Sequence, residues 1–259
     1  MKFKDHYINE DITIDTDKKT ASIDYTKNKS GISTKLGKDK NFTPFKTGGK
    51  LFGKDVVISG YSSKMIDQQE IEPKNLRNII YHLIKGKSQE YSLTSEEIDY
   101  FVKRTIIYLN RYFNKNNISF DIILLPKSSS TLNKRMAEEF KKRFPYDIQL
   151  YSDEITKSNP QDLKIVGNPP EMIRKALEKF IAKWTEEGKF EIKKVPPSWR
   201  EFISNISNID QKIFKKVDKK DVLIIDDVLT SGITIADIIQ QLRSQSNPNK
   251  IYGVTLFKN

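Results

Sequence analysis

The chain has 259 residues, 37% of them apolar and 31% charged, enough to bury one large domain, or one domain with an appendage. With no cysteine it cannot form disulfides, thiolate metal sites or a cysteine nucleophile, and its two histidines, His6 and His82, are too far apart in sequence for metal-ligand spacing. A net charge of +11 fits an anionic ligand or nucleic acid, but the basic residues are mostly lysines spread along the chain, which reads as a solvated face.

The opening Met1–His6 lacks the apolar core of a signal peptide, and no run is long enough to cross a bilayer. A cytoplasmic protein with no membrane partner is therefore expected. Residues 1–55 are polar, with short alternations such as Ile12-Thr13-Ile14, and read as an N-terminal arm that is partly β or loosely ordered. Gly48 to Lys54 imitates a nucleoside-triphosphate P-loop. However, Asp55 replaces the required hydroxyl, and the strand Val56-Val57-Ile58 follows where a helix should, so the motif is rejected.

Residues 56–259 read as the main α/β domain. Pro73 to Lys85 has a helical apolar face, and Thr94 with Glu97 forms a capping box for a helix through Phe113. The run from Ile118 to Leu125 is a strand that leads into Pro126-Lys127-Ser128-Ser129-Ser130-Thr131 and a helix to about Arg143. A polar loop between strand and helix can hold an anion at the helix N-terminus, Lys127 supplying charge and the serines donors; an ordinary capped connection reads equally well.

Tyr146 to Tyr151 is expected as a strand and Ser152 to Pro160 as a turn-rich loop. A helix from about Pro170 to Glu187 closes at Gly188, Phe190 to Ile192 reads as a short strand, and Ser198 to Lys216 reads as helix. Segment 152–220 is thus an insertion or a lid. Within it Lys157 could reach an anion, though a plain surface lysine is the favoured reading.

Val222 to Ile225 is too short for a helix and apolar enough for a strand buried on both faces. Asp226 and Asp227 are expected to end it. Thr230, Ser231 and Gly232 form a small polar turn before a helix carrying Ile235, Ile238, Ile239 and Leu242 on one face. In an open α/β sheet such a junction lies at the carboxyl edge, where backbone N–H groups and roughly half a positive charge of helix dipole favour phosphate. The adjacent acids suit sugar hydroxyls or a divalent cation. Capping alone would explain one acid or hydroxyl and leave the others unexplained. A last strand runs from Ile251 to Phe257.

The stretch Ile224-Ile225-Asp226-Asp227-Val228-Leu229-Thr230-Ser231-Gly232-Ile233-Thr234 closely resembles the phosphoribosyl-pyrophosphate (PRPP) loop of type I phosphoribosyltransferases. The resemblance implies a Rossmann-like α/β fold, a mostly parallel sheet flanked by helices. It implies that Asp226 and Asp227 contact the ribose hydroxyls and carry catalysis. Val228, Leu229, Thr230, Ser231, Gly232, Ile233 and Thr234 would then complete the PRPP site, with Leu229 through Thr234 holding the 5′-phosphate. Lys127, Ser128, Ser129 and Ser130 resemble the pyrophosphate loop.

The implied activity is transfer of ribose 5-phosphate from Mg²⁺-PRPP to a nitrogenous acceptor, with Asp226 and Asp227 weak metal ligands and most coordination from substrate and water. Members acting on 6-oxopurines carry an acid where this chain has Thr230, which cannot move the base's proton near neutral pH. So little chain follows the last strand that an acceptor-binding hood must come from the arm or the insertion. A homodimer stays open. The alternative is a non-catalytic PRPP or nucleotide sensor of the same fold binding RNA or DNA through a basic face; it is not favoured. A third is an assembly scaffold that binds no PRPP.

Overall fold

The computed structural model describes strands at residues 6–8, 12–15, 20–23, 44–45 and 56–62 and, over 95–258, every residue except 129, 130, 145, 230 and 231. The helix expected at Pro73–Lys85, the P-loop imitation and the cap at Thr94 lie outside the described residues. Near the N-terminus β1 (His6–Ile8), β2 (Ile12–Asp15) and β3 (Thr20–Ile23) form an antiparallel sheet, in keeping with the alternation read there. Then come β4 (Pro44–Phe45), β5 (Val56–Ser62), α1 (Ser95–Lys115), β6 (Ile122–Pro126), α2 (Leu132–Arg143) and β7 (Gln149–Lys157). After them follow β8 (Lys164–Ile165), α3 (Glu171–Glu187), β9 (Ile203–Ser204), β10 (Ser207–Ile209), α4 (Gln211–Val217), β11 (Asp221–Leu229), α5 (Ile233–Gln245) and β12 (Lys250–Lys258).

The main sheet has the order β10-β7-β6-β11-β12-β5-β4. Its five inner strands, β7 through β5, are parallel, and the edges β10 and β4 are antiparallel. This is the expected mostly parallel, Rossmann-like α/β sheet. The inner strands are continuous apolar runs because helices cover both faces: Ile122 to Leu125 and Val222 to Ile225 are all buried.

On one face Val222 and Ile224 join Ile213, Phe214 and Val217 of α4 and Ile235, Ile238, Ile239 and Leu242 of α5 in one core. On the other, α1 and α2 meet through Phe113 and Phe140, whose rings stack with centroids 5.8 Å apart. A second core lies within 158–206, where Leu177 and Trp184 of α3 gather Leu163, Phe190, Val195, Ile203 and Ile206. Ile233, the first residue of α5, also belongs to it.

Several elements differ from expectation. β11 does not stop at Asp226 but runs to Leu229, because backbone pairing with β12 continues to Lys258 and outweighs the poor strand propensity of aspartate. β7 starts later than Tyr146 and runs through the stretch read as a loop. Gln149 to Tyr151 pair with β6 and Ile155 to Lys157 with β10, so the polar stretch between is held extended by pairing at its two ends. β6 begins only at Ile122, after Asn117 takes a positive φ of 51°.

No strand forms at Phe190–Ile192; Ile192–Lys194 is a 3₁₀ turn beside the buried Phe190. The helix expected at Ser198–Lys216 is divided into a 3₁₀ stretch (Pro197–Phe202), β9, β10 and α4. Asn205, at φ 60°, breaks it, and the Asp210 carboxylate restarts a helix by accepting from the Lys212 N–H at 2.8 Å. The helix ending at Gly188 forms as expected, that glycine lying at φ 63°.

Candidate functional site

Two parallel crossovers, connections that are right-handed as a rule, leave the middle of the sheet in opposite directions, β6 through α2 to β7 and β11 through α5 to β12. Opposed crossovers of one hand must place their helices on opposite faces, so a crevice opens where β6 and β11 meet at the carboxyl edge. At the amino edge the two strands are tied: the Asp121 N–H donates to the Asp221 carbonyl at 2.8 Å, and the Asp221 N–H donates to Asp121 Oδ2 at 2.9 Å. Register then runs Val222 with Ile122 to Ile224 with Leu124 and goes no further among the described residues. Past Leu124 the register of β6 against β7 shifts, and Pro126 is matched with Ile155. β11 continues along β12 to the match of Leu229 with Lys258, so its last turn of sequence borders the crevice.

Asp226 and Asp227 lie on that border, inside the strand. Because successive side chains alternate, Asp226 shares the face of Val222 and Ile224, and Asp227 that of Leu223 and Ile225. Asp226 is half-buried and its Oδ1 accepts the Asp227 N–H at 2.9 Å; Asp227 is only 7% exposed. The acids therefore bracket the strand end from its two faces.

Val228 and Leu229 continue β11, and Thr230 and Ser231 lie outside the described residues. Gly232 opens α5 at φ 70°, ψ 4°, a left-handed conformation that glycine adopts without a Cβ penalty, and its carbonyl accepts the Ala236 N–H at 2.9 Å. Ile233 is buried and Thr234 half-buried.

At the neighbouring junction Lys127 and Ser128 are exposed, and the Lys127 N–H donates to the Ile155 carbonyl at 2.7 Å. Ser129 and Ser130 lie outside the described residues. Neither α2 nor α5 has a side-chain cap or an acidic residue in its first turn, so both N-termini keep their dipole charge for an anion. Lys157 sits on β7, exposed, with Nζ 5.9 Å from the Phe190 ring centroid, in line with a surface lysine.

Three polar residues were not singled out from sequence. Asn133, in the first turn of α2, is 3% exposed, and neither its Oδ1 nor its Nδ2 has a partner. Thr255, the register partner of Asp226 on β12, is fully buried with an unpartnered hydroxyl. Asp237 of α5 accepts from the Ser207 N–H at 2.8 Å and Gln241 Nε2 at 2.9 Å; burial pushes its carboxyl above the usual aspartate range, opposed by these donors. The available signal was one and the same: each is a polar residue at an apolar phase of its helix or strand, as Asn133 is beside Met136, Ala137 and Phe140.

Among the described residues no group of three carboxylates or imidazoles converges as a metal site. The crevice offers hard oxygen donors of the type magnesium takes, with Asp226 the accessible one, so a cation there would draw most of its shell from a bound ligand and water. Among the described residues no helix is long and apolar enough to cross a membrane.

Two crystal structures of a hypoxanthine phosphoribosyltransferase from Staphylococcus aureus, in tetragonal and orthorhombic space groups, are similar to this chain at 16% identity and a TM-score of 0.34. Each match covers 62% of this chain and 65% of the other, just under two thirds of its length. No protein-family model and no curated protein matches the sequence.

Proposed function

We propose that the chain is a phosphoribosyltransferase-like enzyme that binds Mg²⁺-PRPP in the crevice between β6 and β11. It transfers ribose 5-phosphate to a nitrogen acceptor. The observation that carries this reading is the position of the Asp226-to-Thr234 segment at the point where the strand order reverses, with a left-handed Gly232 leading directly into an uncapped α5.

In this reading the backbone N–H groups around Gly232 to Thr234 and the α5 dipole hold the 5′-phosphate, joined by the hydroxyls of Thr230, Ser231 and Thr234. Asp226 and Asp227 accept from the ribose hydroxyls across the strand end. Lys127 and Ser128, with Ser129 and Ser130, take the pyrophosphate, supported by the α2 N-terminus. The bond from ribose C1 to pyrophosphate oxygen breaks, a bond from C1 to nitrogen forms, and the nitrogen gives up a proton. Asp226 is the residue placed to share the cation, which when bound neutralises charge on the leaving pyrophosphate. The protein contributes chiefly by fixing both ends of the sugar phosphate while positive charge develops at C1.

Thr230 is a poor proton acceptor, which argues against a 6-oxopurine acceptor here even though the similar crystal structures are of a hypoxanthine enzyme. Orotate, adenine, uracil and amine donors stay open. The test is calorimetric titration with PRPP and Mg²⁺, then a panel of nitrogenous acceptors assayed for pyrophosphate release. Binding and Mg²⁺-dependent release are expected. Asp226→Asn combined with Asp227→Asn should lower turnover by roughly 10²-fold or more, the scale of losing charge-stabilising contacts. An absence of PRPP binding in the wild type would overturn the reading.

A further inference from the structure

Among the described residues the buried side-chain polar atoms without a hydrogen-bond partner are both amide atoms of Asn133, the Thr255 hydroxyl and Arg143 Nε. Arg143 is held elsewhere, its Nη2 donating to Glu139 Oε1 at 2.6 Å. The rest belong to two residues toward the carboxyl edge on opposite faces of the sheet, Asn133 in the helix that follows β6 and Thr255 on β12 beside β11, the two strands that border the crevice being β6 and β11. Thr255 is matched in register with Asp226 and shares its face. Asn133 stands in the first turn of α2, on the other face. Side chains on a helix lean toward its N-terminus, so the carboxamide at the second helical position is directed to the junction that carries Lys127 and Ser128.

A buried polar atom with no partner costs stability, and an apolar residue of the same size would avoid that cost at either position. Valine has the shape of threonine, and leucine that of asparagine. Polar groups kept against this cost, at two points that flank one site and not at random through the core, indicate a state in which they are paired.

We infer that Asn133 and Thr255 are positioning residues for the sugar phosphate in the proposed reaction, a conclusion that rests on the PRPP reading above. Both are sealed from solvent, so they act through neighbours. Asn133 pairs with the β6–α2 junction when pyrophosphate is held there, and Thr255 donates to Asp226 when that carboxylate turns to the ribose. The free protein carries the unpaired atoms, and the bound protein satisfies them. Binding is thereby strengthened relative to a site whose supporting shell was already saturated.

The experiment compares wild type, Asn133→Leu, Thr255→Val and Thr255→Ser by thermal melting with and without Mg²⁺-PRPP and by the KM for PRPP. Without ligand, N133L and T255V should melt at or above the wild-type temperature, since each deletes an unpaired buried group. With ligand they should show a smaller PRPP-induced rise in melting temperature and a KM raised about tenfold, the scale of one lost hydrogen bond to a charged group. T255S should keep the wild-type response. If N133L and T255V melt lower without ligand and keep the wild-type rise and KM, the polar groups are structural and the inference is overturned while the PRPP reading stands. If the wild type itself shows no PRPP-induced rise, both fall together.

Discussion

The two junctions that meet at the crevice share a topology and differ in construction. At β11–α5 the strand overruns its partner β6, carries two carboxylates into the open edge and turns into its helix through a glycine at positive φ. At β6–α2 the strand stops short against a register shift, no residue is forced into an unusual conformation where the chain is described, and Thr131 enters the helix already in the right-handed region without capping it. Among the described residues the first junction is marked by the left-handed backbone of Gly232 and the packing of Ile233, the second by the unpaired side chain of Asn133.

The β11–α5 side also has a packing anchor. Ile233 follows Gly232 directly, yet it packs into the core of the 158–206 segment with Trp184, Leu177 and Ile203. The start of α5 and the 158–206 core are therefore joined through a side chain that is 6% exposed. Ile233→Ala should cost about 2–4 kcal/mol in urea unfolding, within the range for emptying an aliphatic core position. Hydrogen exchange should show α3 and the 3₁₀ stretch at Pro197–Phe202 losing protection before the main sheet does. Equal loss in both would mean that the two cores unfold as one, and the contrast between the junctions would then be a property of the whole domain.

Gly232→Ala should have the next largest effect. A Cβ at φ 70° costs about 1–2 kcal/mol, and the strain is relieved only by moving the N–H groups that open α5. Melting temperature and PRPP affinity should therefore fall together. The comparable change across the crevice, Thr131→Ala, removes no side-chain cap and relieves no strain, so it should leave stability within about 0.5 kcal/mol of wild type. Urea midpoints for the pair decide whether the asymmetry is real, since similar losses would erase it.

This asymmetry also explains what could be read from the sequence. The β11–α5 junction was legible because its chemistry is concentrated in one short stretch, Asp226 to Thr234, in which the two acids, the three hydroxyls and Gly232 are of unusual type for the end of a buried strand. The overrun of β11 was not, since the acids look like a stop signal and only pairing with β12 keeps them extended. The same override hid β7, whose Ser152-Asp153-Glu154 reads as a turn but falls in the register shift between residues paired with β6 at 149–151 and residues paired with β10 at 155–157. The run from Ser198 to Lys216 failed in the opposite direction. Its isoleucines have a spacing compatible with a helix, but Ile203 is in β9, Ile206 lies between the strands and Ile209 is in β10, with Ile203 and Ile206 in the 158–206 core and Ile209 in the main one. Asn133 and Thr255 escaped notice because one polar residue in an apolar stripe is a weak signal until its lack of a partner is seen.

The smallest expected effect concerns how α5 is held once it has begun. Asp237, one turn after Ile233, is 3% exposed, and its carboxylate closes the outer edge of the sheet by accepting the Ser207 N–H of β10. The groups facing it are the backbone N–H groups of Asn205, Ile206 and Ser207 and the Gln241 amide, none of which titrates. Burial outweighs these donors and raises the folded-state pKa above the ordinary aspartate value. The folded protein then binds more protons than the unfolded chain across the window between the two values, so this group's contribution is full below the unfolded pKa and is lost as pH rises through the raised one. Asp237→Asn retains an acceptor for the Ser207 N–H and cannot ionise. Its stability curve against pH should lack that descending segment while following the wild type in shape elsewhere. Urea midpoints taken from acid to neutral pH check this: parallel curves across the window would show that the Asp237 donors fully offset its burial, and that α5 is fastened to β10 no differently in acid than at neutrality.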